Sequence, residues 1–312
     1  MYSIKKYDAS HYSQWNDFIE KSKNGTFLFH RDFMEYHSDR FEDFSLLAFD
    51  GNKLVAVFPA NKAGEEVHSH QGLTYGGLIL ADSIGVNYIE HIFDAITAYL
   101  KNSQINTITI KQVISIYHKK PANEMNYLLF KKGATLCRRD MNLAINYSES
   151  LSVSKSKMKN FRKLALLGFE IKKDNDFELF WDSVLIPRLE EKYSARPVHT
   201  KKEIAMLHNR FPSNIVQYNI YYDGEILAGI TLFDFGDVVK SQYGATTAKG
   251  EEMRALDYLF ITLIFEYKEK RRYFDMGTVN ENQGKTYNKG LLKQKEELGC
   301  SVYNHDYYSL VL

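Results

Sequence analysis

The chain has 312 residues, with 40 Lys+Arg against 39 Asp+Glu and a net charge of +1. Near-neutrality over so many charges gives no global attraction to DNA, RNA or an anionic membrane, although it leaves room for a local basic patch. A hydrophobic share of 44% with 25% charged residues excludes an extended disordered chain, and the length predicts two domains. Cys137 and Cys300 stand far apart without a C-x-x-C spacing, which argues against a disulfide scaffold and against a zinc site. The N-terminus lacks an apolar signal core and no apolar run approaches membrane-spanning length, so a cytoplasmic protein is expected.

In chain order, the first strong signal is Asp50-Gly51 followed by alternating apolar residues from Leu54 to Phe58. The same pattern returns at Asp223-Gly224, followed by Ile226 to Ile230. Asp-Gly flanked by period-2 apolar residues predicts a hairpin, because both residues tolerate the positive φ of tight turns. Each hairpin leads to a further strand rich in glycine and tyrosine, predicted over 72–80 and again over 238–245. Helical spacing follows at Ile89, Ile92, Phe93, Ile96 and Leu100, and at Leu256, Leu259, Phe260, Leu263 and Tyr267. A short strand comes next in each half (105–110 and 272–277), then a helix closing at Gly133 or Gly299. The hairpin recurs after 173 residues and the closing glycine after 166. An internal duplication is the simplest account: an α/β fold of two tandem units with mixed, mostly antiparallel sheets flanked by helices. The expected division is 1–150 and 151–312.

Between the halves, residues 151–168 read as a basic amphipathic helix. At about 100° per residue, Lys155, Lys159, Arg162 and Lys163 share an arc of about 100°, while Met158, Phe161, Leu164 and Ala165 share another face. Such a stripe either holds a phosphate-bearing ligand, with Arg162 and Lys163 foremost, or is a solvated face.

The ordered set of local patterns resembles a known family. In the first half the segment runs from Ser69-His70 through Tyr75-Gly76-Gly77-Leu78. In the second half it includes His199-Thr200, Ser241-Gln242-Tyr243, Ala255 to Leu259, and Phe274-Asp275 to Gly277. Asn280-Glu281, Gly284 to Asn288, Gly290-Leu291, Gln294-Lys295-Glu296 and Gly299 complete it. These residues resemble FemAB-like acyltransferases, tandem proteins of two GCN5-related N-acetyltransferase (GNAT) units, over roughly Phe29 to Tyr308.

The resemblance implies transfer of an acyl group from acetyl-CoA or another acyl-CoA to a primary amine. The implied acceptor is a small phosphate-bearing molecule, such as an amino sugar of a cell-surface polysaccharide precursor. Two alternatives stand beside it: tRNA-dependent aminoacyl transfer to a peptidoglycan precursor, and a non-catalytic binding protein with a degenerate site. Thr246, Thr247, Lys249, Gly250 and Arg254 occupy the place of the donor pyrophosphate loop, which here holds one glycine and the acids Glu251 and Glu252. Glu281 is the candidate base or a turn carboxylate. Tyr243 is an acid for the leaving thiolate or a core tyrosine. Lys295 steadies developing charge or is a plain helix lysine. His70, Tyr75, Gly76, His199, Tyr287 and Asn288 are acceptor-side candidates. For His70 and His199 a structural role is the alternative, and for Asn288 an ordinary helix cap. No metal-binding spacing, nucleophile elbow or P-loop occurs in the sequence.

Overall fold

The computed structural model describes residues 2–175 and 177–312. Two compact units emerge: Met1–Met141 with Asn282–Lys285 and Tyr303–Leu312, and Asn142–Glu281 with Thr286–Val302. This differs from a division at 150/151. The strand Thr135–Asn146 runs through the boundary, and the final strand, Ser301–Val311, gives Tyr307–Val311 to an antiparallel pairing in the first unit.

In the first unit β1 (Tyr2–Lys6) pairs with β2 (Leu46–Asp50), which forms the expected Asp-Gly hairpin with β3 (Lys53–Phe58). β4 (Glu66–His68), the helix α1 (Val86–Asn102), β5 (Thr107–Lys111) and α2 (Glu124–Lys131) follow. The apolar face of α1, carried by Ile89, Ile92, Phe93, Ile96 and Leu100, joins Leu46, Phe58, Ile108 and Leu128 in one core. β4 runs parallel to β5 for three residue pairs, Glu66/Thr107, Val67/Ile108 and His68/Thr109.

Beyond His68 the chain loops out and returns, so that the Gly76 N–H donates to the Lys111 carbonyl and Gly76 bridges Gln112. The strand expected over 72–80 is therefore mostly loop, and only Ile79–Leu80 pairs as a strand, against β3. Close approach explains it: a Cβ on Gly76 would lie 1.4 Å from the Ser69 carbonyl oxygen. The return of its own chain closes the gap between β4 and β5.

The second unit repeats the order with a different ending. The linking helix α3 (Lys155–Leu164) and α4 (Ile186–Tyr193) precede the hairpin of β6 (Ile215–Tyr222) and β7 (Glu225–Asp234). Asp223 and Gly224 take φ of 49° and 77°, as a tight hairpin turn requires. β8 (Val238–Thr246) leads to the buried helix α5 (Ala255–Tyr267), β9 (Tyr273–Thr278) and α6 (Lys289–Glu297). Its core gathers Phe180, Trp181, Leu227, Leu259, Leu263 and Phe274, each at most 1% exposed.

Candidate active site

β8 and β9 run parallel for three residue pairs: Val238/Tyr273, Val239/Phe274 and Lys240/Asp275. They then part. β8 continues its antiparallel ladder with β7 as far as Ala228/Thr246, while β9 turns away and pairs Thr278 with Asn142. A register shift opposite Thr231 and Leu232 leaves Gln242 as an extra, bulged residue. Among the described residues no returning chain pairs into the gap here, and Gly244, Ala245 and Thr246 line a cavity of about 640 Å³. That volume suits a ligand larger than a single metabolite fragment.

A buried polar cluster fixes the divergence. Asp275, fully buried, accepts hydrogen bonds from Asn142 Nδ2 (2.8 Å) and the Gly277 N–H (2.7 Å) and pairs with Lys240 Nζ at 3.2 Å. Lys295, only 5% exposed, reaches from α6 to donate to the carbonyls of Gly277 and Thr278, both at 3.0 Å. The backbone of Gly277, at φ 75°, is thus held on one side by a carboxylate and on the other by an ammonium. Lys295 is neither a plain exposed lysine nor aimed into the cavity; it positions the turn where β9 leaves β8.

Burial, and then the nearby Lys240 charge, push the Lys295 ammonium down to about 8. A cation whose folded pKa lies below its unfolded value binds fewer protons in the folded chain. Stability therefore rises with pH from about 8 toward the ordinary lysine range, by about 1 kcal/mol per pH unit at most for one group. Burial lowers Lys111 in the first unit to about 8 as well. Denaturation midpoints between pH 7.5 and 9.5 should accordingly climb, and Lys295→Met should remove about half of that climb. An unchanged slope in the variant would place the titration elsewhere.

The cavity wall comes from several elements. α3 contributes Ser156, Lys157 and Asn160, while α4 contributes Arg188 and Lys192. Arg254 and Asp257 come from the start of α5, and Gln294 and Glu297 from α6. Its charges are mostly matched: Lys157 Nζ meets Asp257 at 2.7 Å, Lys192 meets Glu251 at 2.9 Å, and Arg188 pairs with Glu251 and Glu191. Arg254 alone among these four cations has no acid partner among the described residues, and its exposed side chain stands beside the N-terminus of α5. The acid Glu251, which makes the loop look unsuited to phosphate in the sequence, is neutralised by Arg188 and Lys192 from a helix about 60 residues upstream.

The structure spreads the other candidates widely. Of the loop residues, Thr246, Gly250 and Arg254 line the cavity. Thr247 caps the short helix Ala248–Glu252, and the exposed Lys249 pairs with Glu225 at 2.5 Å. Gly250 is glycine because a Cβ would lie 2.3 Å from the Leu227 carbonyl oxygen. Arg162 and Lys163 are exposed and are not among the cavity-lining residues. Lys157, which the stripe reading passed over, is the α3 cation that faces the cavity.

Tyr243 and His199 come together across 44 residues. The Tyr243 hydroxyl accepts from the His199 N–H at 3.1 Å and lies 2.6 Å from His199 Nδ1, with its ring edge-on to Trp181. Burial raises the Tyr243 hydroxyl to about 12, so it stays protonated at neutral pH. Glu281 is exposed on the short hairpin of Asn280–Glu281 with Thr286–Tyr287 and accepts from Asn288 Nδ2 at 3.4 Å. Asn288 caps α6 by accepting from the Leu291 N–H, and Tyr287 beside it is 44% exposed.

In the first unit Tyr75 is fully buried and its hydroxyl donates to Thr26. His70 is buried and stacked on His37 at 5.0 Å, and burial pushes its pKa down to about 3, leaving it neutral at physiological pH. It borders a smaller cavity of about 290 Å³ with Lys111 and Tyr307. Among the described residues no group of three or more His, Cys, Asp or Glu is arranged to hold a metal, and no helix is long and apolar enough to cross a membrane.

No family model matches the sequence, and no curated protein matches it. Solved structures do. The crystal structure of FemX superposes with a TM-score of 0.73 over 99% of this chain and 97% of that one, at 11% identity. L-PGS from Bacillus licheniformis gives 0.61 over 97% and 91% at 13% identity. A tandem GNAT protein from the clavulanic acid biosynthesis pathway gives 0.57 over 100% and 98% at 10% identity. At these identities the likeness is one of fold.

Proposed function

We propose that this chain, which carries the FemAB-like tandem GNAT fold, transfers an acyl group from acyl-CoA to a primary amine, using the second unit. The observation that carries the reading is the open flank of β8 beside a cavity at the N-terminus of α5. An unpaired strand edge offers N–H and C=O groups at the spacing of an added strand, which suits the amides of a pantetheine arm. The first-turn N–H groups of α5, with the unpaired Arg254 beside them, suit the donor's diphosphate. Matched charges elsewhere in the cavity leave Arg254 as the cavity cation without an acid partner among the described residues, which fits a compact anion better than a long polyanion such as tRNA.

The amine must lose a proton to attack the acyl carbonyl. A lysine-like amine with pKa about 10.4 is neutral only on the order of once in 10³ at pH 7. Glu281, solvent-facing on its hairpin, accepts that proton directly or through water. The Tyr243 hydroxyl, protonated at neutral pH, returns a proton to the leaving thiolate once its contact with His199 Nδ1 opens. The Lys295 ammonium keeps the Gly277 and Thr278 carbonyls in place, so the two strands stay apart while the reactants align. An amino sugar of a polysaccharide precursor is the acceptor class that the sequence resemblance favours.

Calorimetric titration with acetyl-CoA tests the reading. Saturable micromolar binding is expected, weakened about tenfold or more by Arg254→Glu through loss and reversal of a charged contact. With an amine acceptor in hand, Glu281→Gln should lower kcat by about 10²-fold with donor affinity unchanged. Absent coenzyme binding together with steeply salt-dependent tRNA binding would replace this reading with aminoacyl transfer.

A further inference from the structure

The face of α3 turned away from the cavity has a composition that the acyl-transfer reading does not use. From residue 150 to residue 169 the chain holds no Asp or Glu, yet it holds Lys155, Lys157, Lys159, Arg162 and Lys163. Only Lys157 finds an acid, Asp257; the other four are exposed, and their side chains make no ion pair or hydrogen bond among the described residues. A face that is merely solvated ordinarily mixes signs and supports itself with i,i+4 pairs, and this one has none to make.

The helix is firmly seated by its other side. Phe161 stacks on Tyr258 at 4.9 Å, and Asn160 and Lys157 face the cavity. At about 100° per residue the stripe of Lys155, Lys159, Arg162 and Lys163 lies roughly opposite these contacts. Leu166, in the turn that ends the helix, continues the line of the stripe and is 86% exposed; Leu167 beside it is 42% exposed.

We propose that this outer stripe binds an anionic phospholipid surface, the four cations meeting headgroup phosphates and Leu166 entering the acyl boundary. Cations along a helix with an adjoining exposed leucine are the elements of an interfacial contact. The leucine decides between polyanions: an aliphatic side chain gains by leaving water for lipid and gains little against a nucleic-acid backbone. The near-zero net charge confines the attraction to this patch. Since α3 also lends Ser156, Lys157 and Asn160 to the cavity, a bound membrane would lie about one helix diameter, roughly 10 Å, from it. An amine acceptor carried on a lipid would suit that placement. This last step rests on the acyl-transfer reading, whereas the membrane contact does not.

The full chain is mixed with vesicles of phosphatidylcholine alone or with about one third phosphatidylglycerol, and co-sedimentation is measured at low and high salt. Binding is expected only to the anionic vesicles and should weaken with salt. At roughly fivefold per cation, Lys155→Ala/Lys159→Ala/Arg162→Ala should bind about a hundredfold more weakly. Leu166→Ser should bind about tenfold more weakly. All four positions are exposed, so the variants should melt as the parent does, which a thermal scan verifies. No binding to anionic vesicles, or binding indifferent to either variant, overturns the proposal. So does binding of bulk tRNA that needs the cations but ignores Leu166→Ser while vesicles stay unbound. Failure of acetyl-CoA titration with vesicle binding intact would remove only the acyl-transfer reading.

Discussion

Replacing Asp275 with alanine should destabilise the second unit by about 3–5 kcal/mol, because it removes one member of a buried ion pair and strands the other. Lys240, 8% exposed, would be left without its counterion, and the Gly277 N–H and Asn142 Nδ2 would lose an acceptor in a region water does not reach. The test of this cause is the double variant Asp275→Ala/Lys240→Met. With both charges gone, a substantial part of the loss should return, since a paired absence costs less than a widowed charge. Urea denaturation measures both. A single-variant loss under about 1 kcal/mol, or a double variant weaker than the single one, would show that the carboxylate does not hold the divergence of β8 and β9.

Gly76→Ala should cost about 3 kcal/mol or more, whereas Gly290→Ala should be neutral or stabilise by up to about 1 kcal/mol. The two glycines carry the same substitution into opposite surroundings. A methyl at Gly76 overlaps the Ser69 carbonyl, backbone against backbone, so the loop that closes β4 against β5 has to shift. At Gly290, exposed within α6, the nearest atom to an added Cβ is Asn288 Oδ1 at 3.5 Å, an ordinary contact. There the main effect is the entropy that the unfolded chain gives up. Thermal melts of the two variants check the contrast; equal shifts would mean that the Gly76 loop yields at no cost and does not lock the first unit shut.

The duplicated order of elements was legible in the residues. Asp-Gly at 50 and 223 marked the hairpins, the 3.6-residue spacing of Ile89 to Leu100 and of Leu256 to Tyr267 marked the two long helices, and Gly133 and Gly299 marked the ends of the closing ones. The cationic stripe of α3 was legible for the same reason, since a helix converts spacing directly into direction. The glycine-rich run at 72–80 misled: small residues read as a strand, but here they permit a loop to pass against Ser69. The boundary near 150 was displaced because the final strand returns to β5, a pairing between residues about 200 apart that local pattern cannot register.

Local chemistry in the sequence determined the elements, their repetition and the direction each apolar or charged face would take, because turns and periodicities depend on neighbours a few residues away. The tertiary structure alone decided which of the two units keeps an open strand edge. It decided that Tyr243 meets His199, that Glu251 is neutralised by Arg188 and Lys192, and that Lys295 is buried against Gly277 and Thr278. Each of these is a contact between residues 17 to 63 positions apart, set by where packed elements bring their ends together rather than by anything within a turn of helix or strand.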